Sequence, residues 1–151
     1  MATFRVFVSY SQPSVFDPSL ANPFNNWTRV HVAQGFAWRP GSVSFRTLSE
    51  SGVYDVELLL GEGGRPILPY VLRAIEVPFR VPSNGALEVA SISDGQRLEL
   101  PAGPYQLRFE SLPKFKIRLV FTKAMEPKFL ILRADSDLVP TIPLLQTAEP
   151  A

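Results

Sequence analysis

The chain has 151 residues, with 15 Lys and Arg against 14 Asp and Glu, and no cysteine. That length suits one ordinary domain, which buries roughly 70% of the surface its unfolded chain exposes and needs no staple to hold a core. The near-neutral charge excludes the whole-molecule field that draws a protein to nucleic acid or an anionic membrane. The missing cysteines exclude disulfides, thiolate metal sites and thiol nucleophiles, and they fit a reducing compartment.

Alternation with period two begins at once, with Phe4, Val6, Val8 and Tyr10 on one face and Arg5 on the other, and it predicts a first strand. No basic start, long apolar run or small-residue cleavage site precedes it, so no export is expected. Residues 11–40 follow, too many for a bare loop in a compact domain, and they are expected to fold over an end of the sheets. They carry Trp27, Trp38, Phe16, Phe24 and Phe36. One short helix is predicted within them, capped by Asn26 and stopped at Gly35, which suits a left-handed terminal position.

Four further amphipathic strands follow, through Tyr54, Val56, Leu58 and Leu60; Ile75, Val77, Phe79 and Val81; Tyr105, Leu107 and Phe109; and Ile117, Leu119 and Phe121. Charged residues such as Asp55, Glu76, Arg108 and Arg118 stand opposite. Weaker strand patterns cover 42–46, 87–92, 97–100 and 129–133. Turn residues at 49–52, 61–64, 82–85, 93–95 and 101–104 separate these runs and predict hairpins. The 15 prolines oppose long helices, because each costs about 3 kcal/mol in a helix interior. No apolar run is long enough to span a bilayer; the stretch 56–60 is broken by Glu57. Residues 1–137 are therefore expected to form one domain, an all-β sandwich of about eight or nine mostly antiparallel strands with one short helix in the long connection. A closed barrel is the alternative. After Arg133 the alternation stops, and Pro140, Pro143 and Pro150 mark residues 138–151 as an extended or disordered tail, dispensable for folding.

Catalytic patterns are thin. His31 is the only histidine and sits in the predicted helix without a nucleophile-elbow sequence, which makes a hydrolase the weakest reading. Asp135 and Asp137 have the spacing of a calcium loop but not its glycine or distal glutamate, and 61–64 lacks the lysine of a phosphate loop. No metal and no cofactor are expected. Lys114, Lys116 and Arg118 alternate with Phe115 and Ile117, a pattern shared by nucleic-acid grooves and solvated strand faces. Three phosphate contacts would bind weakly, so direct nucleic-acid binding is not expected.

Several in-order pieces resemble one bacterial family. They are Val8-Ser9-Tyr10-Ser11-Gln12 with Val15-Phe16-Asp17; Asn26-Trp27-Thr28; Gly35-Phe36-Ala37 with Gly41-Ser42-Val43-Ser44-Phe45; Val77-Pro78-Phe79-Arg80-Val81; and the run from Leu98 through Pro101-Ala102-Gly103-Pro104-Tyr105 to Phe109. Together they resemble the competence protein J family, from about Phe4 to about Pro113. The resemblance implies a non-catalytic inhibitor of a DNA-entry nuclease or an immunity-type partner, cytoplasmic, at the inner face of the membrane through its bacterial nuclease. The alternative reading is a small-molecule or carbohydrate-binding sandwich that uses Trp27 or Trp38 as a stacking platform.

If consecutive strands run antiparallel, connections 11–40, 61–69, 93–96 and 111–116 gather at one end of the sandwich. That end would hold the partner-binding candidates Asp17, Trp27, Trp38, Arg39, Glu62 and Asp94, together with Arg65 and Lys114, while Glu50 would lie at the other. Near neutrality rules out broad acidic mimicry of DNA, which leaves Asp17 and Asp94 as carboxylates to enter a metal-bearing or arginine-lined cleft and the tryptophans and Arg39 as anchors.

Overall fold

A computed structural model describes residues 2–61 and 65–151. These residues form eleven strands and one helix in two packed sheets, the expected all-β sandwich, with two more strands than the alternation marks. Sheet 1 has the order β1 (Ala2–Val8), β5 (Gly52–Leu60), β10 (Lys116–Lys123), β9 (Gly103–Leu112), β6 (Arg73–Val81), β11 (Leu130–Arg133). Sheet 2 has the order β3 (Phe36–Arg39), β4 (Ser42–Phe45), β2 (Ser14–Phe16), β7 (Ala86–Ala90), β8 (Gly95–Glu99). Both sheets keep free edges, so the barrel alternative does not apply.

Alternation does what pleating requires. Val6, Val8, Tyr54, Val56, Leu58, Val77, Phe79, Leu107, Phe109, Ile117 and Leu119 face inward and meet Val15, Val43, Phe45, Leu87 and Val89 of sheet 2 in one core. Phe45 of β4 stacks on Phe109 of β9 across the sandwich, with centroids 4.6 Å apart and planes within 4°. Each such fully buried side chain contributes roughly 1.5–3 kcal/mol.

The connections depart from the hairpin expectation. Turns 49–52, 82–85 and 101–104 pass between the sheets, and among the described residues hairpins close at 40–41, 93–95 and 113–115. Tyr105, fully buried, donates its hydroxyl to the Pro101 carbonyl at 2.7 Å and so pins one crossing in the manner of a tyrosine corner. The expected hairpin at 61–64 is also corrected: β10 and β9 separate β5 from β6, and β5 runs parallel to β10. β6 also runs parallel to β5, with those two strands between them, so no hairpin joins them, and the described residues 65–72 carry the chain back along the sheet; 62–64 lie outside the described residues.

The helix α1 (Arg29–Gln34) starts later than the Asn26 cap predicts. Thr28 is the cap, with His31 as its reciprocal partner, and Gly35 closes the helix at φ 87°. A side chain at Gly35 would also meet Leu138 and Ile75 at about 3 Å. Residues 138–151 are extended and carry no strand, but they are held. Leu138 is 5% exposed within the core. Gln34 exchanges two 2.9 Å hydrogen bonds with the Leu145 backbone, Val139 N–H donates to Ala33, and Ala151 N–H donates to Phe24. Among the described residues no helix is long and apolar enough to cross a membrane.

Candidate partner-binding surface

The outer face of sheet 1 collects the charges that alternate with the core residues. Register sets Arg118 of β10 between Glu57 of β5 and Glu110 of β9, and sets Arg108 of β9 beside Glu76 of β6. The result is a chain of ion pairs: Glu57 to Arg118 Nε at 2.8 Å, Arg118 Nη1 to Glu110 at 3.0 Å, Glu110 to Arg108 at 3.5 Å, and Arg108 Nε to Glu76 at 2.7 Å. Residues 65–72 lie over its centre, where Arg108 donates to the Arg65 carbonyl at 2.8 Å and Glu110 is only 1% exposed. Burial works against the charge of Arg118, but its bonds to Glu57, Tyr70 and Glu110 outweigh it and hold the guanidinium protonated more firmly than usual. Such a network keeps its charges where every member is paired.

Beside this ladder the same face opens into a groove of about 690 Å³, lined by Arg5, Asp55, Tyr70, Lys114, Lys116 and Arg118 among others. Asp55 pairs with Arg5 at 3.1 Å. No ion pair reaches Lys114 or Lys116 among the described residues.

The groove borders the end of the sandwich at which β1 finishes and β5 and β10 begin. Two turns there put residues other than glycine in left-handed backbone: Tyr10 and Ser11 (φ 55° and 58°), and Lys114 and Phe115 (φ 64° and 58°). Large apolar side chains stay exposed in the same region, Tyr10 at 66%, Val53 at 56%, Phe115 at 46% and Phe7 at 42%. Next to the first turn, Tyr10, Ser11, Gln12, Trp27, Val32 and Arg46 line a small cleft of about 220 Å³.

The predicted site residues are divided rather than gathered. Asp17 follows β2 and caps its own turn, accepting from Ser19 N–H and Oγ at 2.9 and 2.8 Å, while its N–H donates to Gly41 at the β3–β4 turn. Asp94 lies past the opposite end of β7, where it accepts the Phe7 N–H at 2.8 Å, and Ser91 Oγ accepts the Ser9 N–H at 2.9 Å. A depression of about 430 Å³, lined by Pro18, Glu88 and Asp94, separates them on the flank of sheet 2. Trp38 is half-buried, edge-on to Phe129 at 5.0 Å, and gives its indole N–H to the Pro78 carbonyl at 2.6 Å, which leaves no free stacking platform. Arg39 is spent on the Asn25 side chain at 2.7 Å and on the Asn22 carbonyl. Trp27 is half-buried at the small cleft, with its indole N–H unpartnered. Lys114 lines the groove, Arg65 lies over the ion-pair ladder, and Glu62 lies outside the described residues. Glu50, expected at the far end, shares the Tyr10–Ser11 end, where its carbonyl accepts from Ser11 N–H. The expected clustering fails because residues 11–40 contain β2 and β3, and because β5 and β6 run parallel, so the described residues 65–72 pass along the sheet rather than turning at one end.

His31 is 2% exposed and structural. Its Nδ1 accepts from Thr28 N–H at 2.9 Å, so Nε2 carries the proton and donates to the Thr147 carbonyl at 2.8 Å. Sequence reasoning missed the groove because it depends on which strands are neighbours. The alternating Lys114, Lys116 and Arg118 were its one visible signal.

Known proteins match this chain over most of its length. The family model for competence protein J (ComJ) matches residues 5–123, from β1 to the last residue of β10. A DNA-entry nuclease inhibitor of Bacillus subtilis (strain 168) is 26% identical over 106 residues, covering 70% of this chain and 78% of that protein. The crystal structure of ComJ from Bacillus subtilis, an inhibitor of the DNA degrading activity of NucA, is similar with a TM-score of 0.69 at 20% identity. That match covers 82% of this chain and 96% of the other.

Proposed function

The chain belongs to the competence protein J family, and on that premise we propose that it is a protein inhibitor of a bacterial DNA nuclease, acting by direct binding and without catalysis of its own. The observation that carries the reading is the family match across both sheets, residues 5–123, joined to a relative named as a DNA-entry nuclease inhibitor. The physical design is compatible. A sandwich with loops pinned by side-chain bonds presents a preorganised surface, so little ordering opposes association. A net charge of +1 argues against imitation of DNA by bulk charge and for recognition through a shaped local patch. The single histidine is occupied in the helix cap.

The same reading puts the chain in the cytoplasm, at the inner face of the membrane through its partner, and the cysteine-free composition supports a reducing compartment. The test is a titration of the NucA-like nuclease of the same genome, with DNA cleavage as readout. Activity should fall linearly to an endpoint at a fixed molar ratio. Full nuclease activity in the presence of excess folded chain would reject the reading.

A further inference from the structure

We propose that the groove on the outer face of sheet 1, with Lys114, Phe115 and Lys116 at its rim, receives an acidic segment of the nuclease that carries an apolar anchor. This rests on the inhibitor reading and says where and by what chemistry the partner is held.

Charge comes first. Every carboxylate lining the groove already has an arginine, Asp55 with Arg5 and Glu57 with Arg118, and the neighbouring Glu110 is shared by Arg118 and Arg108. Among the described residues the ladder therefore leaves Lys114 and Lys116 without an ion-pair partner, and these two cations line a concave wall where field lines concentrate. A carboxylate from outside is their natural complement. Two unpaired cations suit a short acidic peptide better than a nucleic acid, whose evenly spaced phosphates need a longer run of unpaired cations.

Backbone geometry points the same way. Lys114 and Phe115 both adopt the left-handed conformation, which residues other than glycine take at a steric cost. Packing holds them there. The Phe115 ring lies where a side chain on Gly52 would be, at 2.7 Å, and edge-on to Tyr54 at 5.3 Å, while its carbonyl accepts from Asp55 N–H at 2.9 Å. The turn thus keeps Lys114 at the groove and nearly half of Phe115 in solvent.

An apolar margin completes the surface. Tyr70 is 49% exposed in the groove, and the outward pair Phe7 and Val53 stands two residues along from Arg5 and Asp55. Aromatic side chains are enriched at the cores of protein interfaces, and Tyr is among the residues that carry most of their energy.

The test compares K114E/K116E with the charge-matched pair R80E/K128E, both exposed and outside the groove, by calorimetric affinity for the same-genome NucA-like nuclease after thermal unfolding shows each variant folded. K114E/K116E should weaken binding by at least about 30- to 100-fold and flatten its salt dependence, while R80E/K128E stays within about threefold. A folded K114E/K116E with wild-type affinity overturns the proposal and leaves the inhibitor reading standing. Wild-type chain that does not bind the nuclease overturns both. Loss of DNA binding, of inorganic phosphate binding or of a self-dimer in K114E/K116E, with nuclease affinity intact, would assign the groove to another occupant and overturn it as well.

Discussion

Arg73 is the largest fully buried side chain and the least expected from the sequence. Its guanidinium forms a two-pronged pair with Asp135, Nε to Oδ1 at 2.7 Å and Nη2 to Oδ2 at 2.9 Å, and Nη1 donates to the Arg46 carbonyl at 2.5 Å. Nothing local in the sequence links positions 62 residues apart, so Asp135 reads as one of two acids in a polar stretch. Burial pushes the Asp135 carboxyl upward, but the Arg73 bonds and charge outweigh it and hold it below the ordinary value of 3.8. A depressed carboxylate contributes stability that is complete above the unfolded value and is lost as pH falls through the folded one. Below about pH 4 the wild type should therefore lose stability that Asp135→Asn has already lost, and the unfolding curves of the two should converge. At neutral pH, Asp135→Ala should cost roughly 3–5 kcal/mol, since it strands a buried guanidinium. Denaturant unfolding at pH 3 and pH 7 checks both statements. Parallel pH profiles for wild type and Asp135→Asn would show that the pair is not what titrates.

At the scale of elements, legibility followed residue polarity. Strands β1, β5, β6, β9 and β10 were plain because each alternates apolar core residues with polar or charged ones, even where, as at Glu110 of β9, the outer face is covered and the charge is paired. β2 and β3 were hidden because sheet 2 is covered on its outer face too: Ser14 and Ser44 share a buried hydroxyl bond of 2.7 Å, and the Asn25 amide donates to the Ala37 carbonyl at 3.0 Å over them. Only three and four residues long and largely covered, these two strands show too little polar alternation to read. The helix cap was displaced for a related reason, since the box partner of Thr28 is His31 rather than the Glu or Gln the pattern leads one to seek. The C-terminal segment is the element most open to test. Its prolines suggest dispensability, yet Leu138 fills core, and contacts from Gln34, His31 and Phe24 fasten the residues beyond it. Truncation after Asp137 should lower the thermal midpoint by about 5–10 °C, taking roughly 2–4 °C per kcal/mol and a few kcal/mol lost from one buried leucine and several hydrogen bonds. An unchanged midpoint in calorimetry would mean that ordering the segment costs as much as its contacts return.

For the whole molecule, the question is how two sheets with free edges hold together without leaving those edges open to other chains. On one side β1 ends sheet 1 and β8 ends sheet 2, and the turn between β7 and β8 closes the gap: Asp94 and Ser91 accept the Phe7 and Ser9 amides that would otherwise offer an unpaired ladder. The all-β sandwich was legible, but this seam was not. Whether an exposed aspartate meets a partner or an edge strand depends on sheet order, and the sequence reading placed Asp94 among the partner contacts. The two roles predict opposite results. As a seam residue, Asp94→Ala should cost about 0.5–1.5 kcal/mol, the net worth of an exposed hydrogen bond to the Phe7 amide. Exchange of the Phe7 and Ser9 amides should quicken, with nuclease affinity nearly unchanged once the variant is folded. As a partner contact, it should leave stability alone and weaken the complex. Hydrogen exchange at those two amides, read beside calorimetric affinity for the nuclease, separates the roles in one variant. Slow exchange with a large loss of affinity would return Asp94 to the interface and move the binding surface from the groove of sheet 1 toward the flank of sheet 2.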